Sequence, residues 1–254
     1  GATRDDGGLE VAVDARDRGG TLRGRRGDGH ATFAMHGPAT AAGEAGRSDF
    51  EGAVALTLGS SRLDATATVT DRLDIDATLA PLQLADLLPG TGGVLRGTVR
   101  VTGPRAAPDI AADLTGTALR YGDYAAASAR IRGNLPWRSG DGALDVVATG
   151  VNAGLALDEV RLSARGAVER LQLDASARGE AGSLQLDASA QRRNGNWQGT
   201  LATLGLAPST GASWALQSPA RFQQIGTRYT LSESCFASSG GGSLCASADW
   251  PRRG

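Results

Sequence analysis

The residue types in this sequence that most readily perform catalysis or bind metal are two histidines and two cysteines. His30 and His36 stand six positions apart, which suits neither one face of a helix nor a zinc-binding pair. Cys235 and Cys245 are too few and wrongly placed for a zinc ribbon. We therefore expect no metal site and no cofactor.

Motifs for nucleophilic catalysis and phosphate binding are missing from the sequence as well. No Ser stands in a nucleophile elbow, and the glycines at 240–242 lack the Lys and the strand-to-helix context of a phosphate loop. The Asp residues recur singly along alternating segments without an acid–base partner, which indicates a solvated face. The sequence predicts a protein that is not an enzyme and has no catalytic residues.

The two cysteines fit a different chemistry, that of a disulfide. A turn centred on Gly240 places Cys235 and Cys245 directly opposite each other in a hairpin. Opposed residues of an antiparallel pair come within about 4.5–5.5 Å, which suits the bond. Two buried thiols are the alternative.

Alternation of apolar and polar residues is the dominant pattern that positions these groups. It recurs between Gly, Asn, Pro and Ser clusters and predicts about sixteen short antiparallel strands with one apolar and one wet face. Leu-Gln-Leu-Asp-Ala-Ser-Ala occurs at 171–177 and again at 184–190, which indicates an array that grows strand by strand; chance repetition is the alternative. Residues 81–89, bounded by prolines, predict two helical turns at most, as a connector packed on the sheet.

The domain organisation follows from where the alternation is clear. Residues 1–49 predict N-terminal strands with mobile loops rich in Gly, Arg and Asp. Residues 50–254 predict a continuous, repeat-like, curled sheet with an apolar inner face.

A one-sided apolar sheet without covering helices forms a sandwich, a barrel or a curled trough. Many inward residues are Ala or Gly, which fill a closed core poorly, so the sequence favours an all-β, elongated, curled antiparallel sheet with an open groove. Apolar burial is worth about 25 cal/mol per Å², so such a groove attracts acyl chains. The predicted groove-lining, lipid-contacting residues are Leu63, Ala65, Ala67, Val69, Leu73, Ile75, Leu79, Leu171, Leu173, Leu184, Leu186 and Ala188.

The charge balance argues against nucleic acid as a partner, and the hydropathy argues against a membrane-spanning helix. The chain has 26 basic and 27 acidic residues without a basic stripe, so nucleic acid is not an expected partner. No apolar run reaches the roughly 18 residues that a membrane-spanning helix needs. The chain opens on Gly1 without a signal peptide, and we expect it to be an internal fragment of a longer, anchored protein.

Several segments, taken in order, resemble a known family. Residues 80–89 are Leu-rich and bounded by prolines, 93–103 form a Gly-x-Leu-x-Gly strand, and Ala107-Pro108 completes a Gly-x-x-x-x-Pro corner. Near the end, residues 197–201 and the cysteines followed by Trp250 continue the likeness. Together these segments resemble the TamB family from about residue 50 onward, and AsmA-like proteins share the first of them.

The resemblance implies a periplasmic segment of a protein anchored in the inner membrane, with a role in outer-membrane biogenesis. It also implies a TamA-like outer-membrane partner, contacted through a C-terminal part that these residues do not include. An oxidising periplasm permits the Cys235–Cys245 disulfide.

Three functions are compatible with these expectations. The leading one is an apolar groove that carries phospholipid acyl chains between the inner and outer membranes. The second is chaperone-like binding of outer-membrane protein strands, such as those of autotransporters, during assembly or secretion. The third is a passive β-solenoid spacer or adhesin.

Overall fold

The fold is all-β, as the alternation predicts, with strands that follow one another in antiparallel order. The computed structural model describes residues 2–5, 8–22, 25–38 and 49–251, and its side chains at 12–21, 26–35 and 49–250. The chain divides into two units, Gly1–Tyr121 and Gly122–Gly254, which we call the N-terminal unit and the C-terminal unit.

The N-terminal unit is an antiparallel meander in which each strand pairs with the next one along the chain. Its strands are β1 (Ala2–Asp5), β2 (Gly8–Leu22), β3 (Arg25–Pro38), β4 (Asp49–Leu58), β5 (Ser61–Val69), β6 (Arg72–Gln83), β7 (Thr91–Pro104) and β8 (Asp109–Tyr121). Tight turns at Gly and polar residues join most of them, which keeps sequential strands adjacent.

The C-terminal unit repeats this plan. Its strands are β9 (Tyr124–Leu135), β10 (Gly142–Asn152), β11 (Ala156–Ala167), β12 (Arg170–Gly179), β13 (Gly182–Arg193), β14 (Asn196–Pro208), β15 (Trp214–Leu216), β16 (Ala220–Ile225), β17 (Arg228–Ser238) and β18 (Ser243–Pro251). Both β15 and β16 pair with β14 on one side and with β17 on the other, so together they occupy one strand position.

A single turn of helix, α1 (Leu84–Leu87), follows β6 within the described part of the chain. Asp86 in α1 is 1% exposed, and Leu82 on β6 and Leu58 on β4 are 8% and 2% exposed. The α1 segment therefore packs on the sheet. The Ser61 hydroxyl donates to an Asp86 carboxylate oxygen at 2.6 Å and accepts from the Gln83 backbone N–H at 2.9 Å. The predicted connector of at most two turns is therefore confirmed as a single turn, because β6 extends to Gln83.

Glycines with positive φ occur inside some strands at positions where a side chain would not fit. Gly97 in β7 has φ +127°, and a Cβ there would lie 1.9 Å from the Asp113 carbonyl oxygen on β8. Gly133 in β9 has φ +132°, and its Cβ would lie 1.9 Å from the Ala143 carbonyl oxygen on β10. Glycine kinks of this type let a strand curve sharply without losing its neighbours.

The boundary that the sequence suggests after residue 49 stays a prediction. Residues 49 and 50 both lie in β4, which pairs with β3 there, and Asp49 is opposite His36. The units divide between Tyr121 and Gly122. In the predicted loop region, β2 and β3 pair through most of residues 15–29, with an irregular register between Asp17 and Gly20. The mobility of this stretch stays a prediction.

Candidate functional site

The N-terminal unit carries an apolar face that is continuous from β3 to β8. Residues directly opposite each other in an antiparallel pair share a face. One row of such partners runs Phe33, Gly52, Ala67, Ile75, Val101, Ile110. The neighbouring rows place Leu63 opposite Leu79 and Val69 opposite Leu73, so the predicted groove residues of this unit lie on one face.

Aromatic rings on this face lie beside glycines, which leave room for them. The Phe33 and Phe50 rings meet edge to face with their centroids 4.7 Å apart. A Cβ on Gly52 would come 3.1 Å from the Phe50 ring. Gly52 on the inner face therefore leaves room for the larger Phe50 ring on the same strand.

In the C-terminal unit, the two copies of the internal repeat pair with each other. Strands β12 and β13 run antiparallel, so Leu173 faces Ala188 and Leu186 faces Ala175. Each large side chain thus lies beside a small one, and the predicted groove residues of this unit share one face. The face continues to β14, where Leu204 lies opposite Leu186.

These apolar faces are only half-buried. All twelve predicted groove residues have intermediate exposure. The fully buried apolar side chains among the described residues are Leu58, Leu82, Ala107, Ala164, Ala167, Ala190 and Ala220, none of which belongs to the predicted set. The core of a two-sheet sandwich buries its inner residues completely. Within each unit the apolar face therefore stays accessible.

The opposite face carries polar and charged residues in cross-strand pairs. Arg100 Nε lies 2.6 Å from Asp76 Oδ1, and Arg165 Nη1 lies 3.1 Å from Asp174 Oδ2. These side chains are 44–63% exposed, so each pair contributes little to stability, and its main effect is to keep this face solvated.

Glu159 is a carboxylate on this polar face whose pKa is perturbed. Glu159 accepts two hydrogen bonds from Arg161, at 2.8 and 2.7 Å, and lies 3.2 Å from Arg178. The hydrogen bonds from Arg161, together with the positive charges of both arginines, lower the pKa of Glu159. Salt-bridged carboxylates of this kind are ordinary on a solvated sheet, and none of the arrangement suggests acid–base catalysis.

The cysteines lie where the hairpin argument places them. Cys235 on β17 is directly opposite Cys245 on β18, and the structure joins them by a disulfide. Glu233 is close enough to make this a three-residue metal-ligating group by distance, but the bonded sulfurs offer no thiolate to a metal.

The histidines do not form a site within the described side chains. His30 Nε2 lies 3.2 Å from Asp14 Oδ1 on the neighbouring strand, at the surface. The side chain of His36 lies outside the described residues.

One end of the C-terminal apolar face has a composition that the sequence did not predict. Arg192 follows Ala190 on the same face of β13 and lies opposite Trp197 on β14. The row continues through Gln224 and Tyr229 to Trp250. These residues are far apart in the chain, and only the strand register brings them together.

In the described part of the chain, no helix is long and apolar enough to cross a membrane. The family model described as "TamB, N-terminal domain" matches residues 5–250. No solved structure matches the chain.

Proposed function

We propose, from the premise that this chain belongs to the TamB family, that its apolar faces bind phospholipid acyl chains. The family is a membrane-associated envelope module that serves outer-membrane assembly. The finer proposal is that this segment lies in the periplasm and carries lipid between the inner and outer membranes.

The observation that carries the proposal is the half-buried state of a continuous apolar face in each unit. Unfilled apolar surface is costly in water, and roughly 25 cal/mol is gained for each Å² that a ligand covers. Acyl chains suit a continuous apolar face because they are themselves apolar along their length. The polar face, with its Arg–Asp pairs, stays in water.

Site-specific photo-crosslinking tests this proposal directly. A photoreactive residue at Leu186, on the apolar face, is expected to form a phospholipid adduct in the full-length protein in cells. The matched control is Gln185, which is the preceding residue on the same strand and is exposed on the polar face. We expect no lipid adduct there.

Two results would contradict the lipid proposal. Equal adducts from Leu186 and Gln185 would indicate non-specific contact with membrane. Protein adducts at Leu186 in place of lipid would instead support the chaperone-like alternative, in which the face or its strand edges bind client strands.

A further inference from the structure

The boundary row of the C-terminal apolar face has the composition of a membrane–water interface. We call it the interfacial row, and its members are Trp137, Arg192, Trp197, Gln224, Tyr229 and Trp250. It holds three of the four Trp residues of the chain. Trp137 joins the row from the loop after β9, with the Arg192 guanidinium carbon 5.5 Å from its ring centroid. The Tyr229 and Trp250 rings stack with centroids 6.0 Å apart.

The next row along the strands is wholly apolar. Leu171, Ala190, Gly199 and Phe222 are successive cross-strand partners on the same face. Trp and Tyr favour places where one part of the ring is apolar and the other reaches water, which is why they gather at the headgroup level of bilayers. The change from Leu and Ala to Trp, Tyr and Arg within one step therefore marks a boundary between an acyl-chain region and a headgroup region.

Arg192 is the cation at this boundary. Among the described residues its side chain forms no salt bridge, and its buried Nε has no hydrogen-bond partner. Glu169 accepts a hydrogen bond from the Arg192 backbone N–H through its own backbone carbonyl, at 2.8 Å. A guanidinium beside apolar surface gains strongly from an anion, and its fork of donors matches a phosphate group.

The neighbouring arginines do not share this environment. Arg193 is exposed and belongs to the opposite face of β13. Arg228 is paired with Asp249, whose Oδ1 accepts from Arg228 Nε at 2.9 Å. Arg192 thus combines a guanidinium that forms no salt bridge among the described residues with direct continuity to the apolar face.

We propose that the interfacial row binds the headgroup of a phospholipid, with the Arg192 guanidinium on its phosphate. The acyl chains then extend from Ala190 and Leu171 towards Ala188 and Leu173. This inference rests on the proposed function and deepens it, because it gives the lipid an orientation and a charged contact. The ligand class is a phosphate-bearing diacyl lipid.

Binding to the 254-residue chain tests the proposal with two lipids that share their acyl chains. Dioctanoylphosphatidylglycerol carries the phosphate and dioctanoylglycerol does not. Arg192→Gln is expected to weaken phosphatidylglycerol binding about tenfold by calorimetric titration, since the variant loses a charge-assisted hydrogen bond to the phosphate. Dioctanoylglycerol binding should be unchanged. Arg193→Gln, one residue away on the other face, should leave both lipids unaffected.

The outcomes separate this inference from the proposed function. Binding of neither lipid by the unmodified chain would overturn the proposed function itself. Binding of both lipids with equal loss in Arg192→Gln would show that Arg192 only supports the fold, and would overturn the headgroup assignment alone. Glycerol 3-phosphate carries the phosphate without acyl chains. If it inhibits phosphatidylglycerol binding at millimolar concentration, the claim that the phosphate bound here belongs to a lipid would be overturned.

Tryptophan quenching gives an independent reading of lipid orientation. In a Trp214→Phe variant, the remaining tryptophans all belong to the interfacial row. Phospholipid brominated near the headgroup is expected to quench their fluorescence more strongly than phospholipid brominated near the chain end. The opposite order would place the acyl ends at the row and overturn the proposal.

Discussion

Ser61 and Asp86 are 3% and 1% exposed and hold the α1 connector against the sheet. Ser61→Ala removes the hydroxyl that donates to the Asp86 carboxylate at 2.6 Å and that accepts from Gln83 N–H. A buried polar group that loses its partner costs about 1–3 kcal/mol, so we expect unfolding free energy to fall by that amount. The matched control is Ser60→Ala, since Ser60 is exposed. Equal denaturation midpoints for the two variants would contradict this role.

The disulfide gives a second prediction at the residue scale. Thiol counting of the purified chain under denaturing, non-reducing conditions is expected to find no free thiol. Closing a loop with a sequence separation of 10 stabilises by about 3 kcal/mol in the chain-entropy model, so reduction should lower the unfolding free energy by a similar amount. Two free thiols would restore the alternative of unpaired cysteines.

The sequence predicts some of these residue-scale features and misses others for physical reasons. The Cys235–Cys245 opposition follows from a local turn, and local geometry is readable from spacing. The sequence does not single out Asp86, because its hydrogen-bond partner Ser61 lies 25 positions earlier and only β5–β6 pairing brings the two together. The interfacial row around Arg192 was missed for the same reason, although Trp197, two residues after the turn at Asn194 and Gly195, is a local signal of a strand-end aromatic.

At the scale of single elements, the strand kink at Gly97 allows a test. Gly97→Ala places a Cβ where the Asp113 carbonyl oxygen lies, at a φ that L-residues rarely adopt. Such backbone strain costs about 1–3 kcal/mol, and we expect a loss of unfolding free energy of at least this size. Gly92→Ala on the same strand is the control, because its Cβ would meet only the Arg120 Cβ, at 3.7 Å. A thermal melt in which both variants behave alike would contradict the kink.

Strand prediction succeeded where alternation is unbroken and failed where it is interrupted. Residues 62–79 alternate cleanly, and β5 and β6 occupy them as predicted. The hairpin argument places a strand at Cys235, but alternation alone does not mark β17, because its register shifts between Leu231 and Ser234 and the apolar positions change parity there. A pattern of period two cannot represent a bulge, so the break in alternation has a physical cause.

At the scale of the whole molecule, the sequence predicts the fold class, and its boundary after residue 49 stays a prediction. The turn at which the two units meet in sequence, between Tyr121 and Tyr124, consists of Gly and Asp, which are common in hairpin turns and do not mark a unit boundary. A unit boundary reflects how many contacts cross a plane, which depends on the curvature of many strands together. The apolar faces, by contrast, were predicted because each strand reports its own inward residues through alternation.

A charge on either apolar face tests whether both units serve lipid transport. Ala188→Arg in the C-terminal unit and Ala67→Asp in the N-terminal unit each place an unpaired charge among apolar residues, a position that excludes acyl chains. Both sites are only half-buried, so water can reach each introduced charge, and at position 188 the long Arg side chain can also extend to solvent; the fold should therefore survive. We therefore expect each single variant of the full-length protein to lose lipid transport while its thermal melt by circular dichroism stays near that of the unmodified protein.

The adjacent polar-face residues provide controls for this last prediction. Ser189→Arg and Thr68→Asp introduce the same charges at exposed positions one residue along each strand, and both should leave transport and melting unchanged. Loss of transport from only one apolar-face variant would restrict the lipid path to that unit. A melting temperature that collapses in both apolar-face variants, together with no lipid adduct at Leu186, would mean that these faces form a closed core. The conduit would then be excluded, because a face that must be sealed for folding cannot also be the surface along which lipid moves.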